Sequence, residues 1–201
     1  MVWFVCSLLF LSMAFILPAL FIRAHAGKAI SCPIVLAGMV IWLGCMMMYH
    51  YHHDLLRDDF FLVAACFCLA MSILDASNHW LPLEFTLAFT LLGVMAQWLA
   101  AGTFSPEPLL RFAGMFSLLA SVRWVMNQRY ERETFGMGDV WLISGMAVWL
   151  NFLDATVILA AGLAVHIMYW LAVKPFRRAR PDAFPLAPVT CLVFIGITLF
   201  Q

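Results

Sequence analysis

Gly136-Met137-Gly138-Asp139 opens an apolar run that continues to Phe152, and the reading of the whole chain turns on it. An ionisable side chain at membrane depth is expensive, so by default it marks a functional site. The two glycines ahead of Asp139 leave the backbone free to bend or pack where a side chain would not fit. A second acid, Asp75, ends another apolar run.

Outward from these residues the chain stays apolar. Its 201 residues are 65% hydrophobic and 11% charged, with a mean hydropathy of +0.97. No ordinary soluble domain has this composition. A formal net charge of zero offers no field to draw in nucleic acid. Eight apolar runs follow one another: 2–22, 33–49, 60–74, 83–101, 108–126, 138–152, 155–173 and 185–200. The stretches between them are too short for a soluble domain. The expected fold is all-α: a polytopic membrane helix bundle of about eight transmembrane helices. Residues 1–201 read as a single transmembrane domain. The first run begins without a basic segment and its positive charges follow it, the order of a retained helix rather than a cleaved signal peptide.

Charge tests the count of spans. With the first loop cytoplasmic and the loops alternating, that side collects Arg23, Lys28, Arg123, Arg129, Arg132, Lys174, Arg177, Arg178 and Arg180. The other side keeps Arg57 and Arg111. This is the asymmetry of the positive-inside rule. Both termini then lie outside the cytoplasm, and Asp75 and Asp139 share the cytoplasmic side. Their runs are short: fifteen apolar residues make roughly 22 Å of helix, against a hydrocarbon thickness of about 30 Å. Either the bilayer thins or the helices take in the flanking acid, which draws both carboxylates into the membrane.

Two carboxylates that share a proton can activate water against a peptide carbonyl, one as base and one as acid. The start of a helix favours the anion at Asp139, and the end of one favours the protonated form at Asp75. On the residues alone, two interfacial or helix-capping acids remain an equal reading. Other candidates carry less. The six cysteines form no Cys-x-x-Cys and read as small apolar fillers, with a Cys6–Cys45 bridge left open. His50, His52, His53 and Asp54 contain metal-ligand types but fall on the side opposite the two acids. His79 and Trp80 read as an interfacial pair or as a contact for a bound peptide. Glu131 and Glu133 read as solvated loop acids. No cofactor or metal is expected.

Asp75 with Leu81-Pro82 and Thr86-Leu87, then Gly136-Met137-Gly138-Asp139-Val140 with Leu142, then Pro185-Leu186-Ala187-Pro188 come in that order. Together they resemble the type IV prepilin peptidases, bacterial Gly-x-Gly-Asp membrane aspartic proteases, from about Phe60 to the end. The resemblance implies Asp75 and Asp139 as catalytic residues, supported by Gly136, Gly138, Pro82, Pro185 and Pro188. It implies a type IV prepilin or pseudopilin precursor as substrate, membrane lipid as surroundings and no nucleic acid. It also implies a multi-pass protein of the bacterial inner membrane, cleaving a basic leader at the cytoplasmic face. Larger members carry paired Cys-x-x-Cys in a cytoplasmic domain between the first two spans. Only residues 23–32 stand there in this chain, which puts N-methyltransferase activity in doubt. Trp141 stands where the family commonly has lysine, and Leu83 precedes Glu84 where an acid often follows the proline. The alternatives are a small proton- or ion-coupled transporter and a non-catalytic assembly subunit of a pilus or secretion machine.

Reporter fusions test the topology. Fusions after Lys28, Arg132 and Arg180 are expected to report cytoplasm, and a fusion after Asp59 the opposite side. A cytoplasmic signal at Asp59 together with an external one at Arg132 overturns the alternation.

Overall fold

A computed structural model describes residues 2–25, 27–51, 59–130, 136–173 and 185–200. Among the described residues there are eight helices, each over one of the apolar runs. They are α1 (Val2–Ala24), α2 (Cys32–Tyr51), α3 (Asp59–Asn78), α4 (Leu83–Ala101), α5 (Glu107–Tyr130), α6 (Met137–Trp149), α7 (Phe152–Val173) and α8 (Ala187–Phe200). The fold is all-α. Phe60–Asn78, Leu83–Ala101, Glu107–Arg129 and Phe152–Tyr169 are long and apolar enough to cross a membrane, while α1, α2 and α8 contain shorter apolar stretches. Helix is what such a sequence must form in hydrocarbon, because each helical N–H and C=O finds its partner within the same segment.

The helices form two compact units, Met1–Trp80 with Leu163–Gln201, and Leu81–Gly162, so that α7 is divided between them. In the first unit α3 is central and packs against α1, α2 and α8. Its small residues Ala64, Ala65, Cys66, Cys68 and Ala70 are buried, which lets its neighbours approach closely. Gly38 of α2 serves the same purpose: a Cβ there would lie 2.9 Å from Phe15 and 3.3 Å from Leu69. Leu9, Leu20, Val40 and Leu43 face outward, as expected where the surrounding solvent is lipid tail.

The third helix departs from the sequence reading. The apolar run stops at Leu74, but the helix continues to Asn78 and the Asp75 carbonyl accepts the His79 amide at 2.9 Å. Its 20 residues reach about 30 Å, the thickness of the hydrocarbon, so α3 is not short. Hydropathy sees the change in side chains, whereas the backbone hydrogen bonds run on. Of the two options for a short run, α3 takes the one that includes the acid. His79 then ends the helix with φ at 54°, a left-handed conformation usually left to Gly or Asn.

In the second unit α6 is central, between α4 and α5. It has only 13 residues, and neighbouring side chains satisfy the carbonyls at its end. Gln97 donates to the Trp149 carbonyl at 2.9 Å, and Arg111 donates to that of Leu150 at 2.7 Å. Trp149 in turn donates from Nε1 to the Phe89 carbonyl at 3.0 Å and stacks on the Phe89 ring at 5.5 Å. Close approach of α4 and α6 depends on two glycines. A Cβ on Gly93 would lie 2.6 Å from Trp149 Nε1, and one on Gly145 would lie 2.6 Å from Thr90 Oγ1. On the other side Trp141 packs against Phe112 and Phe116 of α5, with ring centroids 5.6 and 4.9 Å away.

None of Cys32, Cys66, Cys68 and Cys191 is in a disulfide. The side chains of Cys6 and Cys45, the pair left open as a bridge, lie outside the described residues.

Overpacking a close helix contact costs about 1–3 kcal/mol. Gly93→Ala and Gly145→Ala are therefore expected to lower the melting temperature in detergent clearly. Gly44→Ala and Gly196→Ala, where a Cβ meets nothing within 4 Å, are expected to leave it unchanged or raise it.

Candidate active site

Asp75 lies one turn before the end of α3, is 6% exposed, and belongs to the first unit. Its Oδ2 accepts the main-chain N–H of Ala187 at 2.9 Å, with the Leu186 amide and His79 also close to the carboxyl. The Pro185-Leu186-Ala187-Pro188 element is thus brought onto Asp75 by the packing of α8 on α3. Two helix ends, of α3 and of α8, therefore act on Asp75 with opposite sign. The end of α3 alone does not decide which acid carries the proton.

The same end of this unit is closed by its loops. Asn78 forms a reciprocal pair with Lys28: the Lys28 amide donates to Oδ1 at 2.7 Å, and Nδ2 donates to the Lys28 carbonyl at 3.2 Å. Trp80 covers Gly27, where a Cβ would come within 2.9 Å of its ring. Its edge meets Phe21 and His25, which stack on each other at 4.1 Å. Trp80 is thereby a packing residue of the first unit.

Asp139 belongs to the second unit and sits in the first turn of α6. The N-cap is Gly136, with extended backbone at φ −68° and ψ 142°, and Asp139 is the third helical residue. Asp139 is therefore not the N-cap that the bland sequence reading made it. Its carboxylate folds back over the turn: a Cβ on Gly136 would lie 3.1 Å from Oδ2. Gly138 serves a different contact, since a Cβ there would come within 2.6 Å of Leu81 Cβ and 3.2 Å of the Leu81 carbonyl. Pro82 is the N-cap of α4 and accepts the Thr86 amide at 3.3 Å. The Leu81-Pro82 segment is thus packed on the first turn of α6 through Gly138. Glu84 is exposed in the first turn of α4.

Each candidate acid thus sits on the central helix of its own unit. Sequence reasoning missed the Ala187 amide, the Asn78–Lys28 pair and the seat of Leu81 on Gly138. The proline element and Leu81-Pro82 were visible as motifs, but which atoms they offer was not. Among the described residues no group of three or more His, Cys, Asp or Glu could hold a metal ion. His52, His53, Asp54, Glu131, Glu133, Arg177, Arg178 and Arg180, and the side chain of His50, lie outside the described residues.

The sequence profile of the type IV leader peptidase family matches residues 62–174, more than half of the chain and a range that contains both acids. The chain belongs to the type IV leader peptidase family. Similar proteins include the type 4 prepilin-like proteins leader peptide-processing enzyme of Escherichia coli O78:H11, 24% identical over 60% of this chain and 45% of that one. Two proteins named prepilin leader peptidase/N-methyltransferase also match. The one from Xanthomonas campestris pv. campestris is 29% identical over 61% of this chain and 44% of its own length. The one from Pectobacterium carotovorum subsp. carotovorum is 26% identical over 80% and 58%. The chain spans about half the length of the curated relatives it matches. No solved structure matches it significantly. Membership in this family and four helices long enough to span make it a membrane protein.

Asn78→Ala removes both bonds to Lys28. It is expected to cost about 1 kcal/mol and to speed hydrogen exchange at the Lys28 amide. Unchanged exchange there would show that the pair does not hold the loop.

Proposed function

We propose that this chain is a leader peptidase for type IV pilin-like or pseudopilin precursors, with Asp75 and Asp139 as its two catalytic carboxylates. It acts as a multi-pass protein of the bacterial inner membrane and cuts the basic leader at the cytoplasmic face. The observation that carries the reading is the family match over residues 62–174, which takes in both acids and the Gly136–Asp139 motif. The seating of each acid supports it: Asp75 is buried against the first turn of α8, and Asp139 is folded onto Gly136 at the start of α6. The charge asymmetry of the loops supports the orientation.

In this mechanism one carboxylate takes a proton from water as the oxygen attacks the scissile carbonyl. The other, protonated, donates to the carbonyl oxygen, and the departing amine later takes up a proton. No metal or organic cofactor is required. Fixed geometry matters here, because a positioned water tolerates little displacement.

The test is cleavage of a pilin precursor by the detergent-purified chain, with the product read by mass. Asp75→Asn and Asp139→Asn are each expected to lower the rate at least about 10²-fold, the scale of general acid–base catalysis, at matched accumulation. Glu at either position is expected to fail as well, since an added methylene moves the carboxylate. Asp154→Asn is expected to stay close to wild type. Asp154 sits in the first turn of α7, its amide donating to Asn151 Oδ1 at 2.8 Å and its carboxylate accepting from Asn151 Nδ2 at 2.9 Å. A zinc chelator is expected to have no effect, and the new N-terminus to be an unmodified amine. Full activity in either Asp→Asn variant would falsify the two-carboxylate mechanism.

A further inference from the structure

Five polar side chains are buried among the described residues: Asp75, Thr86, Thr90, Ser144 and Thr190. The four hydroxyls satisfy themselves within their own helices. Thr86 donates to the Leu83 carbonyl at 3.0 Å, Thr90 to Thr86 at 2.8 Å, Ser144 to Val140 at 2.6 Å and Thr190 to Leu186 at 3.2 Å. Asp75 instead accepts a hydrogen bond from another helix, 112 positions along the chain, where Oδ2 meets the Ala187 amide.

The donor is well defined. Ala187 is the first residue of α8, so its N–H has no partner within that helix. Pro188 follows and has no N–H to offer. The next helical bond of the turn, from Thr190 N–H to the Leu186 carbonyl at 3.2 Å, is already formed. Ala187 itself is fully buried, so water does not compete for this amide. With the Ala187 amide on Oδ2 and the Leu186 amide also close, rotation of the carboxyl about Cβ–Cγ is restrained and its second oxygen keeps its aim.

We infer that the main-chain amide of Ala187 is a positioning group for the Asp75 carboxyl. It acts by fixing Oδ2 and so orienting the carboxyl for proton exchange with water or peptide. The inference rests on the leader-peptidase reading, because it assigns Asp75 to the chemistry. Ala187 touches no substrate in this account; the Pro185–Pro188 element acts through Asp75.

The experiment replaces single amides by esters in the full chain. Ala187→lactic acid puts an ester oxygen where the N–H stands and leaves the side chain intact. The matching ester at Thr190 removes the N–H that bonds Leu186, which weakens the same turn without touching Asp75. Both are assayed on a pilin precursor in detergent, with melting temperatures alongside. The Ala187 ester is expected to lower kcat about tenfold, the size of a hydrogen bond lost at a buried polar group, with KM within about twofold. The Thr190 ester is expected to keep kcat within about threefold while melting at a temperature similar to the Ala187 ester. Three results overturn the inference: an unchanged kcat in the Ala187 ester, an equal loss in both esters, or a loss confined to KM. A Ala187 ester that fails to accumulate while the Thr190 ester does accumulate also overturns it, since the amide is then structural. Failure of the unmodified chain to cleave overturns the leader-peptidase reading and the inference with it, a result distinct from any difference between the esters.

Discussion

The hydrogen bond from the Ala187 amide to Asp75 joins two residues 112 positions apart at 2.9 Å, and one end of the first unit is arranged around it. A carboxyl this deeply buried needs a donor, because an unpaired polar group in an apolar medium costs several kcal/mol. The first turn of α8 has an N–H that needs an acceptor. Each requirement is met by the other. Small residues on α3 bring α8 close enough for the bond to form. Asn78 and Trp80 then close the same end against Gly27 and Lys28.

The second unit solves a related problem with glycines. Its central helix is only 13 residues long and carries an acid in its first turn. Gly136 makes room for the Asp139 carboxylate to fold back, and Gly138 makes room for Leu81. The two glycines of one motif thus answer to different neighbours. At the far end, Gln97 and Arg111 take up carbonyls that a longer helix would have bonded itself. Trp141 is held by Phe112 and Phe116. Packing against α5 explains an aromatic residue there.

Membrane surroundings change which observations are informative. Outward-facing Leu20, Val40, Leu110 and Met168 would mark a binding surface on a soluble protein, but here they face the solvent they suit. What stands out instead is polarity on the inside and glycine at helix contacts. The buried polar side chains lie on α3, α4, α6 and α8, and the tight glycine contacts within helices on α2, α4 and α6.

The sequence by itself determined the helices, their order and the residues to suspect. Apolar run length and loop charge are properties of contiguous residues, and a bilayer leaves such a chain little choice but helix. The motif residues Asp75, Gly136, Gly138, Asp139, Pro82, Pro185 and Pro188 were legible for the same reason, as short local patterns. The true end of α3 was not, because hydropathy stops at Asp75 while the backbone bonding continues to His79. Nor was the N-cap at Gly136, which depends on dihedral angles rather than residue type. Only tertiary structure decided that the proline element meets Asp75 through the Ala187 amide, and that Leu81 rests on Gly138. Those contacts join distant parts of the chain through main-chain atoms and an absent Cβ. Every residue has a main-chain amide, so its partner is chosen by packing and leaves no mark in the sequence.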